Sequence, residues 1–140
     1  MVEVACDGDR IAGGALWLPP GHWPPSLSRQ LLGLPGHISA FGHRIGYAQA
    51  LAQAAVRSHP REPHWYLHTI GVDPGHQGRG VGSALLQSRL RRCDKDTQPA
   101  YLESSKARNV PLYERFGFQS TGRLELPAGA PVITTMWRPA

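Results

Sequence analysis

The sequence predicts an α/β (α+β) fold, a mixed sheet with helices packed on its faces, and three observations carry that reading. Val2 to Ala5 and Ile11 to Leu18 flank Asp7-Gly8-Asp9, the turn chemistry of a two-stranded hairpin. Two β-rich runs, His64 to Val72 and Ala100 to Ser104, each lead into a helix-period run. A last pair of short β-rich runs closes the chain. The resulting order is a strand pair, a helical region and then β-α-β-α-β-β, which a mixed sheet covered by helices accommodates.

Taken in order, the second hairpin arm contains Gly13-Gly14, the mark of a bulge or a close backbone approach. The Pro-rich stretch after Leu18 ends that strand. Ser26 is placed to cap a short helix through Leu32. A second helical pattern runs from Ile38 to Arg57, where Ile45, Ala48, Leu51, Ala52, Ala55 and Val56 share an apolar face. His64 to Val72 is aromatic and β-branched, hence a strand, stopped by Asp73-Pro74-Gly75. From Gly80 to Arg92, Val81, Ala84, Leu85 and Leu90 are spaced for a helix. Ala100 to Ser104 is a strand, and Pro111 to Phe116 a short helix capped by Gly117. Phe118 to Thr121 and Val132 to Trp137 are strands joined through Pro127 to Pro131.

Composition narrows the function classes. The chain has 140 residues, the size of one domain, expected to span 1–140 with a junction near residue 61. Apolar residues make up 41% and charged residues 18%, outside the disordered range despite 16 Gly and 13 Pro. No run approaches the ~18 apolar residues of a membrane span. Met1-Val2-Glu3-Val4 lacks the pattern of a signal peptide, so a cytoplasmic protein is expected. Two distant cysteines, Cys6 and Cys93, exclude a CxxC site or a disulfide framework. The histidines His59, His64, His68, His37 and His43 lack the spacing of a helical zinc site, and no metal is expected. The net charge of +5 suits a polyanionic partner, either a nucleotide-like cofactor or nucleic acid. Nucleic acid is the weaker alternative. Around Arg89, Arg91, Arg92 and Lys95 there are no interleaved aromatics, and basic residues ending a helix complement its dipole.

The strongest chemical signal is Val72-Asp73-Pro74-Gly75-His76-Gln77-Gly78-Arg79-Gly80-Val81-Gly82-Ser83, where a strand ends, a glycine-rich turn follows and a helix begins. The first N–H groups of a helix have no partner inside it and carry the positive end of its dipole. Glycines leave no Cβ to hold an anion away from them. The segment is therefore expected to bind a phosphate or pyrophosphate. A Walker loop is excluded, since no Gly-Lys-Ser/Thr is present. The dinucleotide fingerprint fits poorly, since Ser83 takes its third small position and no acid follows ~20 residues on.

Gln77-x-x-Gly80-x-Gly82, after the strand ending Leu67-His68-Thr69-Ile70-Gly71-Val72, resembles the acetyl-CoA loop of the GNAT superfamily of N-acetyltransferases. Asn109-Val110-Pro111-Leu112-Tyr113-Glu114-Arg115-Phe116-Gly117-Phe118 is similar to that family's Leu-Tyr-x-x-x-Gly-Phe segment. The resemblance covers His64 to Arg138 and is confined to a hairpin before that. It implies a mostly antiparallel central sheet with helices on both faces. It also implies an acetyl group transferred from acetyl-CoA to a small-molecule amine or peptide acceptor, by direct attack in a ternary complex. In that scheme backbone groups of Ile70, Gly71 and Val72 pair with the pantetheine arm. Amides of Gln77, Gly78, Arg79, Gly80, Val81, Gly82 and Ser83 hold the pyrophosphate, with Asn109 beside the cofactor. Tyr113 serves the leaving sulfur, in keeping with ordinary pKa values of ~8.5 for a thiol and ~10 for Tyr.

The attacking amine must lose a proton. Glu103 is the first candidate base and His68 the second, an acid on a strand between apolar neighbours and an imidazole titrating near neutrality. Two departures from the family's pattern stand out. Lys106 occupies a position, seven before the Tyr, where many members carry Asn; with Arg108 it could reach a CoA phosphate or sit in solvent. The family's first strand and helices also lack a counterpart. Trp17 to Arg61 would then supply the acceptor pocket, with Trp23, Phe41, Tyr47, His22, His37 and His43 as lining or packing residues. That departure supports the alternative of an inactive or partner-dependent acyl-CoA-binding module. It also suggests an exposed sheet edge for a homodimer to cover.

Overall fold

A computed structural model describes residues 1–23, 45–127 and 129–140. Strands β1 (Val2–Asp7) and β2 (Arg10–Leu18) form the N-terminal hairpin, with Gly8 in the turn at a φ of 58°. Helix α1 spans Ile45–Ser58, β3 spans Trp65–Val72 and α2 spans Val81–Lys95. Then come β4 (Ala100–Ser104), the short helix α3 (Val110–Glu114), β5 (Gln119–Arg123) and β6 (Thr134–Arg138). The helix expected from Ser26 to Leu32, and the first part of the one expected from Ile38, lie outside the described residues. So do Phe41, His37, His43 and the side chain of Tyr47.

The six strands form one sheet in the order β1-β2-β3-β4-β6-β5. Every pair is antiparallel except β3 and β4, joined through α2. This is the mixed, mostly antiparallel sheet expected. The two closing strands sit slightly later than their composition suggested. Gly117, at a φ of 84°, ends α3, and the Phe118 N–H still donates to the Tyr113 carbonyl at 3.2 Å. Gly13 marks a close approach. A Cβ there would lie 2.8 Å from the Gly71 carbonyl and 3.0 Å from the Val81 side chain, so hairpin, β3 and α2 meet at that point.

One sheet face carries Leu67, Ala100, Leu102 and Met136, packed with Leu85, Leu86, Leu90 and Cys93 of α2 into the main core. Trp17, Tyr113 and Phe118 complete it. Alternation along the strands sends Tyr101 and Glu103 of β4 to the opposite face, with their register partners Trp137 and Thr135 of β6. There α1 packs Ala54 and Ala55 against Leu124 and Ile133 in a smaller cluster. Among the described residues no helix is long and apolar enough to cross a membrane.

Candidate active site

Between β3 and α2, Pro74–His76 forms a single 3₁₀ turn. The Asp73 carboxylate accepts from the Gly75 N–H at 2.9 Å and lies 3.0 Å from His76 Nδ1, and these bonds, His76 first, hold its pKa below the usual range. His76 Nε2 lies 3.3 Å from Asp7 of the hairpin, tying the loop to β1. The Gln77 amide donates back to the Val72 carbonyl at 3.3 Å, so that side chain braces the loop. Gly78 and Gly80 adopt φ of 76° and 82°, and a Cβ on either would meet nothing within 4 Å. Gly80 begins α2 without a side-chain cap, which leaves the helix's first N–H groups free for an anion.

This loop forms one wall of a groove of about 540 Å³. Ile70, Gly71, Val72, Gln77, Gly78, Gly80, Val81, Gly82 and Ser83 line it, with Asn109 and Tyr113 across from them. Arg79, expected in the same set, is exposed and does not line the groove. Sequence reasoning missed three lining residues, His76, Leu112 and Arg115. Arg108, Leu112 and Arg115 all face the groove, the i, i+4, i+7 set of one helical face, and that spacing was available to find them.

A second cavity, of about 330 Å³, opens between the parallel strands. β3 and β4 pair only through Trp65, Tyr66 and Leu67. On the other side of β3, Leu16 pairs with Thr69 and Trp17 with Leu67, so His68 is the extra residue of a bulge. From there the two strands part, and the β4-facing edge of β3 is unpaired. The opening is lined by both candidate bases, Glu103 and His68, as well as Tyr113, Asn109, Lys106 and Ile70. Groove and cavity share Ile70, Lys106, Asn109 and Tyr113, so they adjoin along these four residues.

The electrostatics differ among these groups. Burial pushes the Tyr113 hydroxyl above its ordinary pKa, and among the described residues no hydrogen bond occupies it. Glu103 accepts from the Tyr66 hydroxyl at 3.2 Å and the Tyr101 hydroxyl at 3.1 Å. Burial raises its pKa, and the two phenols oppose that rise. Both phenols are themselves raised, by burial first and then by the Glu103 charge. His68 contacts Thr69 Oγ1 at 2.9 Å, and desolvation lowers its pKa.

Behind the two tyrosines, Trp23 stacks on His59 at 4.7 Å, a packing role. His22 Nδ1 contacts the Pro20 carbonyl at 3.1 Å. His64 Nδ1 must donate to the Glu62 carbonyl 2.6 Å away, so its Nε2 accepts from His59 Nε2–H at 3.1 Å. Burial, then the neighbouring His64, drives His59 down to about 3. His64 is lowered as well, mainly by burial. Both imidazoles are neutral in the fold and take up protons when the chain unfolds below pH ~6.5. Stability is therefore full above that pH and falls as pH drops toward 3, with His59 the larger contributor. Glu103, with its raised pKa, offsets part of this. Denaturant midpoints at pH 7.5 and 5.0 check it, the latter expected lower, with the difference smaller in His59→Phe; equal midpoints would overturn it. Among the described residues no group of three or more His, Cys, Asp or Glu could hold a metal ion.

The sequence model of the Acetyltransferase (GNAT) family matches residues 4–118. The chain belongs to that family. An uncharacterised N-acetyltransferase of Schizosaccharomyces pombe is 33% identical over 117 residues, 77% of this chain and 47% of the relative. The L-methionine sulfoximine/L-methionine sulfone acetyltransferase of Salmonella typhimurium is 37% identical over 102 residues, 69% of this chain and 57% of the relative. Among solved structures, a histone acetyltransferase HPA2-related acetyltransferase of Corynebacterium glutamicum superposes with a TM-score of 0.71 at 33% identity, covering 99% of this chain and 64% of that one. The chain thus spans about half the length of these two curated relatives.

Proposed function

We propose that the chain transfers an acetyl group from acetyl-CoA to a primary amine by direct attack in a ternary complex. The observation that carries this reading is that the anion-binding groove and the strand-splay cavity share a wall that includes Tyr113. The donor supplies an acetyl thioester, whose C–S bond breaks as the amine forms a C–N bond.

The residues of the chain divide the remaining work. The N–H groups from Gly78 to Ser83 hold the pyrophosphate, with Arg108 and Arg115 adding positive charge on the opposite wall. The unpaired edge of β3 from Ile70 to Val72 receives the pantetheine amides as an added strand would. Free backbone amides at the junction polarise the thioester carbonyl. A Glu103 oxygen takes the proton the amine must lose, directly or through water, and His68 on the same cavity wall is the second candidate. The Tyr113 hydroxyl donates to the departing sulfur. Unpaired Cys6 and Cys93 suit a reducing compartment, and we place the reaction in the cytoplasm.

Acetyl-CoA binding by calorimetry tests the cofactor assignment. Gly80→Glu puts a carboxylate where the anion would sit and is expected to weaken binding at least ~10-fold. Its melting temperature, measured in parallel, reports any strain at that positive φ. Equal affinity in the two folded proteins would remove acetyl-CoA from the groove. Release of free thiol with a panel of amines then distinguishes an enzyme from a binding module.

A further inference from the structure

The cavity between β3 and β4 contains one formal negative and one formal positive charge that do not neutralise each other. Glu103 and Lys106 both line it, and they form no ion pair with one another. Glu103 is held in place by the two phenols. Lys106 is exposed and has no ion-pair partner among the described residues. The third charge-capable wall residue besides Tyr113 is His68, which desolvation keeps neutral. Ser104, Ser105, Thr69 and Asn109 supply the polar remainder.

Resting on the N-acetyltransferase reading, we propose that the acceptor is a free α-amino acid, its ammonium received at Glu103 and its carboxylate at Lys106. The two residues are three positions apart in the chain, so their Cα atoms are at most about 10 Å apart. An α-amino acid holds its nitrogen about 2.5 Å from its carboxylate carbon. The flexible four-carbon arm of Lys106 closes the remaining distance. The volume of about 330 Å³ lies at the small end of ligand pockets, suited to a molecule of this size. A diamine or polyamine brings its second cation against Lys106. A peptide N-terminus presents a neutral amide where the carboxylate would be, leaving that ammonium without a partner.

The test measures thiol release at saturating acetyl-CoA for the twenty L-amino acids, each against its own carboxamide, alongside a short peptide and a diamine. Neutralising the carboxylate removes one charge-assisted contact, so at least one amino acid is expected to exceed its amide about 10- to 100-fold in kcat/KM. The amide's less basic amine would by itself favour the amide, so this preference has the opposite sign to intrinsic reactivity. In Lys106→Gln, acid and amide are expected to converge, chiefly through the KM of the acid, with the KM for acetyl-CoA followed in parallel. The proposal is overturned if amides match acids in the wild type, if the preference survives Lys106→Gln, or if turnover is confined to the peptide or the diamine. Absence of thiol release with every acceptor, despite acetyl-CoA binding, would instead remove the transferase reading itself.

Discussion

Tyr113→Phe is expected to lower kcat by about 10²-fold or more while acetyl-CoA affinity stays within about twofold. The ring is only 5% exposed and meets Phe118 edge-on at 6.2 Å inside the main core. Phe keeps that packing and loses one oxygen, so folding is unaffected, whereas Ala would open a core cavity at a cost of about 3–5 kcal/mol. Tyr113 lines both groove and cavity, and among the described residues its hydroxyl forms no hydrogen bond that the substitution would break. Burial keeps it protonated through the neutral range, the state in which it donates to a developing thiolate. Steady-state kinetics with calorimetry on the same samples separates the terms. A kcat within threefold of wild type would mean that the sulfur departs unaided, and Tyr113 would revert to a core aromatic.

The glycine loop was legible because its signal is contiguous, with strand end, turn and helix start occupying twelve consecutive residues. The hairpin and β4 were legible for the same reason, since turn chemistry and β-branched runs are local. The cavity was not. It exists because β3 stops pairing with β4 after Leu67 and because His68 bulges against β2, and neither register is written in either segment alone. Placing Glu103, His68 and Tyr113 around one opening is thus a tertiary fact, and the sequence supplied only their chemistry. The histidines show the same limit. The spacing of His59 and His64 speaks only to metal binding, whereas the fold joins them as a neutral hydrogen-bonded pair.

Arg89 shows the same limit. In a run with Arg91, Arg92 and Lys95 it reads as a cation at a helix end complementing the dipole. The structure instead buries it to 3% exposure, with Nη2 2.6 Å from a Glu3 carboxylate oxygen of β1. Its guanidinium lies 4.5 Å over the Trp65 ring and also contacts the Met1 sulfur. Only a partner 86 positions away distinguishes this arginine from its neighbours, so no local pattern identifies it.

Either single substitution, Glu3→Leu or Arg89→Met, strands the opposite charge and is expected to cost about 3–5 kcal/mol. Among the described residues Glu3 Oε2 and Arg89 Nε have no partner even in the intact pair, so its desolvation is incompletely offset. The double variant should therefore recover most of the loss or exceed the wild type. Denaturant midpoints of the four proteins close the cycle, and unchanged midpoints in the single variants would show the pair to be dispensable. Because the pair clamps α2, whose first turn carries the amides proposed to hold the pyrophosphate, saturating acetyl-CoA should raise the midpoints of the single variants by mass action. Their kcat per folded molecule should remain that of the wild type, which separates a clamp on the fold from a part of the chemistry.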